Sequence, residues 1–243
     1  MHNKKIIMLK NCSFAYKQRS QFTFKKANVN RLNSETILKD ISVELYENKI
    51  YGLIGKNGAG KSTLIKLLLG VLKQSTGSIE KNYFNSKLLD EPLFFHTELS
   101  SLENFEAISL VESKDMLSSD YYEERLENFC DISQLTQNDL KKPISHLSRG
   151  SKSKVGFALT MTFLEGVDFL GLDEFFSFGD EKYKEFSSGL IRKKIHNSKS
   201  SVIVSHSMKV IENTCDEVIV INDGAIETID SPVNAIKLYS KLN

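Results

Sequence analysis

Apolar and polar residues alternate over Ile41-Ser42-Val43-Glu44-Leu45, the two-residue period of a half-buried strand. Upstream, Ile6-Ile7-Met8-Leu9 reads as a strand, and a second short segment ends at Phe14-Ala15-Tyr16. Residues 17–36 are polar and rich in Lys, Asn, Gln and Ser, which predicts a long loop or ragged hairpin. A short buried strand over 50–54 runs into a Gly-rich turn. An apolar helix over 61–69 follows, closed by Gly70.

The pattern then becomes helical over roughly 86–165. Ser100-Ser101-Leu102-Glu103 reads as a capping start for a helix reaching Val111, residues 121–130 form a second helix, and Pro143 interrupts the chain before Leu147. The last third alternates again: a strand over 167–172, a helix over 181–195, a strand over 202–204, a helix from Met208 and a strand over 218–221. Strand–helix alternation around an inserted helical block predicts an α/β fold, a mainly parallel sheet with a helical lobe.

Composition narrows the classes without choosing one. With 243 residues, 40% hydrophobic and 26% charged, the chain can bury one large core. A net charge of +1 gives no bulk attraction for nucleic acid, leaving only a local basic patch as a route to one. No apolar stretch approaches the ~20 residues that span a bilayer, and the first residues do not read as a signal peptide. Cys12, Cys130 and Cys215 are scattered and odd in number, against a disulfide framework or a metal knuckle. A cytoplasmic protein is expected, with any membrane role supplied by a partner.

The chemistry concentrates in two places. Gly55-Lys56-Asn57-Gly58-Ala59-Gly60-Lys61-Ser62 fits G-x-x-x-x-G-K-[ST] between a predicted strand and a predicted helix. Such a loop turns successive backbone N–H groups toward phosphate oxygens, and the helix N-terminus adds positive potential. Lys61 would meet the β- and γ-phosphates, Ser62 would ligate Mg²⁺, and Thr63 continues the cradle. Downstream, an apolar strand ends in Asp173-Glu174. At the carboxyl edge of a parallel sheet these acids face a ligand site. Asp173 would hold Mg²⁺, and Glu174 would orient or deprotonate the attacking water. Adjacent carboxylates repel a triphosphate unless a metal offsets them, so ATP and Mg²⁺ are expected together.

These residues, with Leu147-Ser148-Arg149-Gly150-Ser151, resemble ABC-type ATPases, whose signature is Leu-Ser-Gly-Gly-Gln. The resemblance implies a P-loop fold with an antiparallel β subdomain beside the parallel core. It also implies one nucleotide-binding domain over 1–243, with its helical lobe near 86–165 and no transmembrane domain. It implies a head-to-tail homodimer in which Ser148 and the N–H of Gly150 reach ATP held by the other copy. Asp180, after Phe175-Phe176-Ser177-Phe178-Gly179, takes the acidic position of the D-loop. His206, ending Val202-Ile203-Val204-Ser205, takes that of the histidine that senses the γ-phosphate, and Tyr16 that of an aromatic residue stacked on adenine. The family's Q-loop glutamine is missing, and Asp90 or Glu91 stands nearby. Arg149, Lys152 and Lys154 near the start of a helix oppose its dipole; a bound phosphate would resolve that, and three solvated cations are the competing reading.

Phe95-His96-Thr97-Glu98-Leu99-Ser100-Ser101-Leu102-Glu103-Asn104 and Val204-Ser205-His206-Ser207-Met208 are similar to stretches of capsule, O-antigen and teichoic-acid export ATPases. That implies an ATPase on the inner face of the cell membrane, driving a polysaccharide or glycolipid through a separate permease. Phe94, Phe95 and Phe105 fall where the permease docks. With the chain ending at Asn243, the extra C-terminal sugar-binding domain of some O-antigen members is not expected. The alternatives are an exporter of another substrate, a soluble ABC ATPase acting on nucleic acid or ribosomes, and a subunit that binds ATP without turnover.

Overall fold

The computed structural model describes residues 4–16, 35–90, 95–112, 119–175 and 180–242. Those residues fall into two compact units. The first comprises Met1–Leu88, Asp168–Glu174 and Ser198–Asn243, and the second Leu89–Val167 and Phe175–Asn197.

The first unit holds two sheets. Strands β1 (Lys5–Tyr16), β2 (Glu35–Tyr46) and β4 (Thr76–Lys81) form an antiparallel sheet in the order β2-β1-β4. Strands β3 (Lys49–Ile54), β5 (Ser86–Leu89), β6 (Phe169–Asp173), β7 (Ser200–Val204), β8 (Glu217–Asn222) and β9 (Ala225–Asp230) form the second, ordered β5-β6-β7-β3-β8-β9. In it β6, β7, β3 and β8 run parallel, and β9 turns back against β8. Four of the five residues of β6 and all five of β7 are buried, as expected of parallel strands covered on both faces. One core joins both sheets to α1 (Lys61–Leu68): Leu9, Leu38 and Val43 pack with Leu64, Leu67, Val202 and Ile219. The unit closes with α7 (Met208–Thr214) and α8 (Pro232–Leu242).

The second unit contains α2 (Ser101–Glu112), α3 (Ser119–Ser133), α4 (Gln137–Leu140), a 3₁₀ turn over Ile144–His146, α5 (Arg149–Thr162) and α6 (Glu181–Asn197). The expected capping start is realised as a reciprocal box. Ser100 Oγ accepts from Glu103 N at 3.2 Å, and Ser100 N donates to Glu103 Oε2 at 2.7 Å. Phe105 is fully buried and stacks on Phe129 at 5.3 Å, with Phe163 at 5.5 Å, so it is core and not part of an exposed docking patch. Tyr183 Oη donates to Ile132 O at 2.8 Å, tying α6 to the end of α3.

Several elements differ from expectation for identifiable reasons. The two N-terminal segments are one strand, because register shifts around Asn11, at φ +48°, break the alternation without ending the pairing. Residues 86–89, read as the start of the helical block, form β5. β4 and β9 are mostly exposed or half-buried and carry little apolar period to read. Residues 35 and 36, read as loop, open β2, and residues 17–34 lie outside the described residues.

Tyr51 is fully buried, and its hydroxyl accepts from Tyr46 N at 2.9 Å. Tyr51→Phe strands that backbone donor away from water and is expected to cost about 1–3 kcal/mol, read as a lower urea midpoint.

Candidate active site

The loop from Gly55 to Ser62 joins β3 to α1. Gly55 is required by close approach: a Cβ there would sit 2.3 Å from Ile221 O at the end of β8. Gly60, at φ +103°, is the N-cap of α1 in the left-handed conformation. The loop is tied by Ala59 N to Lys56 O at 3.1 Å and by Gly224 N to Ala59 O at 3.1 Å. Lys61 curls back, its Nζ donating to Gly55 O at 2.7 Å and Lys56 O at 3.0 Å. An ammonium has three donors, so one remains for a phosphate oxygen. The first turn of α1 holds no acidic residue and no side chain caps it, which leaves its N–H groups to an anion.

The acidic end arrives from β6. Asp173 closes the strand, paired in register with Val204 of β7. Glu174 follows at φ +58°, its N–H donating to Val204 O at 3.1 Å. Left-handed backbone is uncommon for Glu, and here it turns the chain at the strand's carboxyl end. His206, just beyond β7, places Nε2 3.8 Å from Glu174 Oε1, with both side chains solvent-accessible.

These pieces surround one cavity of about 420 Å³. Of the residues expected there, Tyr16, Asn57, Gly58, Gly60, Lys61, Ser62, Thr63, Asp173, Glu174 and His206 line it. Gly55, Lys56 and Ala59 shape the loop without lining the cavity. Ile37 and Val204 also line it and were not anticipated. Ile37 stands early in β2, next to the stretch read as loop, so nothing in its local pattern marked it. Tyr16 is 48% exposed, its ring edge-on to Phe14 at 4.9 Å. Apolar Ile37 and Tyr16 thus share the cavity with a phosphate-binding loop and two carboxylates, a division that suits a base, a triphosphate and a hard cation.

The metal fits the donor set. Among the described residues no cluster of three or more His, Cys, Asp or Glu could cage an ion. Ser62 and Asp173 instead offer one hydroxyl and one carboxylate on the same cavity, the sparse oxygen set that suits Mg²⁺ shared with phosphates.

Ser148, Gly150 and Asp180 belong to the second unit. Ser148 caps α5, its Oγ accepting from Ser151 N at 3.1 Å and lying 3.0 Å from Ser151 Oγ. Gly150 is exposed in the first turn. Two of the three cations of this helix have local partners. Lys152 Nζ donates to Ser145 O at 3.0 Å, and Lys154 Nζ pairs with Asp180 Oδ2 at 3.3 Å over the ring of Tyr183. Their charge therefore does not by itself require a phosphate. Asp180 Oδ1 accepts from Tyr183 N at 2.9 Å, so both carboxylate oxygens have partners within the unit. Asp90 is exposed just after β5; Glu91, Phe94, Phe176, Ser177, Phe178 and Gly179 lie outside the described residues.

A family profile described as "ABC transporter" matches residues 38–177. The teichoic acids export ATP-binding protein TagH of Levilactobacillus brevis is 31% identical over 93% of this chain, which spans 60% of that relative's length. The O-antigen export system ATP-binding protein RfbB of Klebsiella pneumoniae is 31% identical over 84% of this chain and 80% of its own. Among solved structures, the dimeric post-hydrolysis state of the ATP-binding cassette MJ0796 bound to ADP and Pi superposes with a TM-score of 0.69. It does so at 18% identity, covering 93% of this chain and 98% of that one.

The bond from Tyr183 N, and then the Lys154 ammonium, hold the Asp180 carboxyl below its ordinary 3.8. A depressed carboxylate adds stability above its ordinary value, and that stability is lost as pH falls through the depressed one. Asp180→Asn is therefore expected to flatten the fall of melting temperature below pH 3.8, measured by thermal denaturation across an acid series.

Proposed function

Since this chain belongs to the ABC transporter family, as one of its ATPase cassettes, we propose that it powers export of a polysaccharide or glycolipid through a separate membrane permease. The observation that carries the catalytic part is the convergence of Lys61, Ser62, Asp173, Glu174 and His206 on one cavity. The substrate class rests on the relatives named for teichoic acid and O-antigen export. Among the described residues no helix is long and apolar enough to cross a membrane, which accords with placement on the inner face through the permease.

In this reading Tyr16 stacks on adenine with Ile37 beside it. The N-terminal N–H groups of α1 and the free donor of Lys61 bind the β- and γ-phosphates. Ser62 and Asp173 hold Mg²⁺, which offsets the charge of the triphosphate. Glu174 takes the proton of the attacking water, and His206, whose Nε2 lies 3.8 Å from Glu174 Oε1, reports the γ-phosphate. Ser148 and Gly150 of a second copy complete the site head to tail, so ATP favours a closed dimer and hydrolysis releases it.

Lys61→Ala removes a charged donor and is expected to weaken ATP binding about 10–100-fold, measured by nucleotide titration. Glu174→Gln should keep ATP affinity while turnover falls about 10²–10⁴-fold; turnover at the parental rate would show that Glu174 is not the base. In the host, loss of the chain should strip a glycan from the cell surface and leave it inside. Unchanged surface sugar composition would remove the assigned substrate class.

A further inference from the structure

Glu174 and its neighbour Phe175 are held by different parts of the protein. Glu174 belongs to the first unit, bonded through its N–H to Val204 O of β7 at 3.1 Å. Phe175 belongs to the second and is 1% exposed. Its ring stacks on Phe157 of α5, with centroids 6.2 Å apart and planes 28° from parallel. Phe157 in turn meets the Tyr183 ring edge-on at 5.9 Å. The boundary between the units thus falls on the peptide bond that follows the candidate base.

α5 also holds the chain a few residues further on. Lys154, one turn before Phe157, pairs with Asp180 at 3.3 Å and lies 4.7 Å from the Tyr183 ring. The helix capped by Ser148 therefore grips residues 175 and 180. Glu174, between β7 and this grip, has φ +58°, a conformation a Glu keeps only when its surroundings over-determine it.

We propose that Phe175 is a positioning residue for Glu174. Its seat on Phe157 keeps Glu174 left-handed and the carboxylate at the cavity. The proposal rests on the reading of Glu174 as the residue that activates water. Freed of the anchor, Glu174 relaxes toward negative φ and its side chain leaves the cavity. Lys61, Ser62 and Thr63 do not depend on Phe175, so turnover suffers and binding does not.

The test is steady-state ATP hydrolysis by the full chain, with melting temperature recorded for each variant. Phe175→Ala should lower kcat at least about tenfold with KM for ATP within about twofold, and Phe175→Met should restore most of kcat. Phe129→Ala, which empties an equally buried aromatic site in the same unit, should cost stability yet keep kcat within about threefold at a temperature where it is folded. A kcat in Phe175→Ala near the parental value overturns the proposal, as does a loss of kcat that merely tracks melting temperature in both alanine variants. If Phe175→Ala does not fold, a glycine inserted between Glu174 and Phe175 decides: it keeps the ring seated and lengthens the tether. Loss of kcat at near-parental melting temperature supports the role, and parental kcat overturns it. Glu174→Gln separates the two readings. Parental turnover there sinks both, whereas lost turnover there with parental kcat in Phe175→Ala sinks the positioning role alone.

Discussion

Parallel pairing of β3 with β7 and β8, and of β7 with β6, sets the geometry on which every part of the site depends. In one row of that sheet Leu53, Val204 and Asp173 stand side by side. The three strands therefore end at one edge, and whatever follows each of them meets there. The phosphate loop follows β3, Glu174 follows β6, and Ser205-His206 follows β7. A slip of one residue in any pairing would exchange side chains between two closely packed faces, so core packing enforces the alignment of the polar chemistry. The close approach of Gly55 to Ile221 O adds a pin from β8, on the other side of the loop.

The edge works because unlike charges are separated by role. Lys61 and the N-terminus of α1 supply positive potential from one strand end, while Asp173 and Glu174 bring negative charge from another. A triphosphate with its cation would satisfy both at once. The second unit is organised differently. In its basic helix Lys152 is bonded to a carbonyl and Lys154 is paired with Asp180, so what it presents is the backbone and hydroxyl of its first turn with Arg149 exposed beside them.

Legibility followed burial and motif. β3, β6, β7 and β8 were readable because each is a dense apolar run, and the cradle and acidic pair because their residue types have few other uses in that order. β4, β9 and β5 were not, since edge and half-exposed strands lack the period that marks a strand. Ile37 escaped for a related reason: only pairing across the sheet brings the start of β2 to the cavity. The aromatic contacts of Phe175 were equally hidden. A Phe beside an acidic pair says nothing of which helix it will lie against, and only its stacking on Phe157 discloses it.

The strand order has a consequence for how the chain is made. β3 is synthesised early, yet both its neighbours are late: Ser200 Oγ donates to Lys49 O across 151 positions, and Ile50 N reaches Asp216 across 166. Until those segments leave the ribosome, Ile50, Tyr51, Leu53 and Ile54 have no strand on either side. Long-range parallel pairing of this kind folds slowly and leaves sticky edges open meanwhile. The second unit, all of it encoded in between and rich in local helical contacts, can settle first. The phosphate-binding loop, although made directly after β3, thus acquires its final shape only once β7 and β8 have followed.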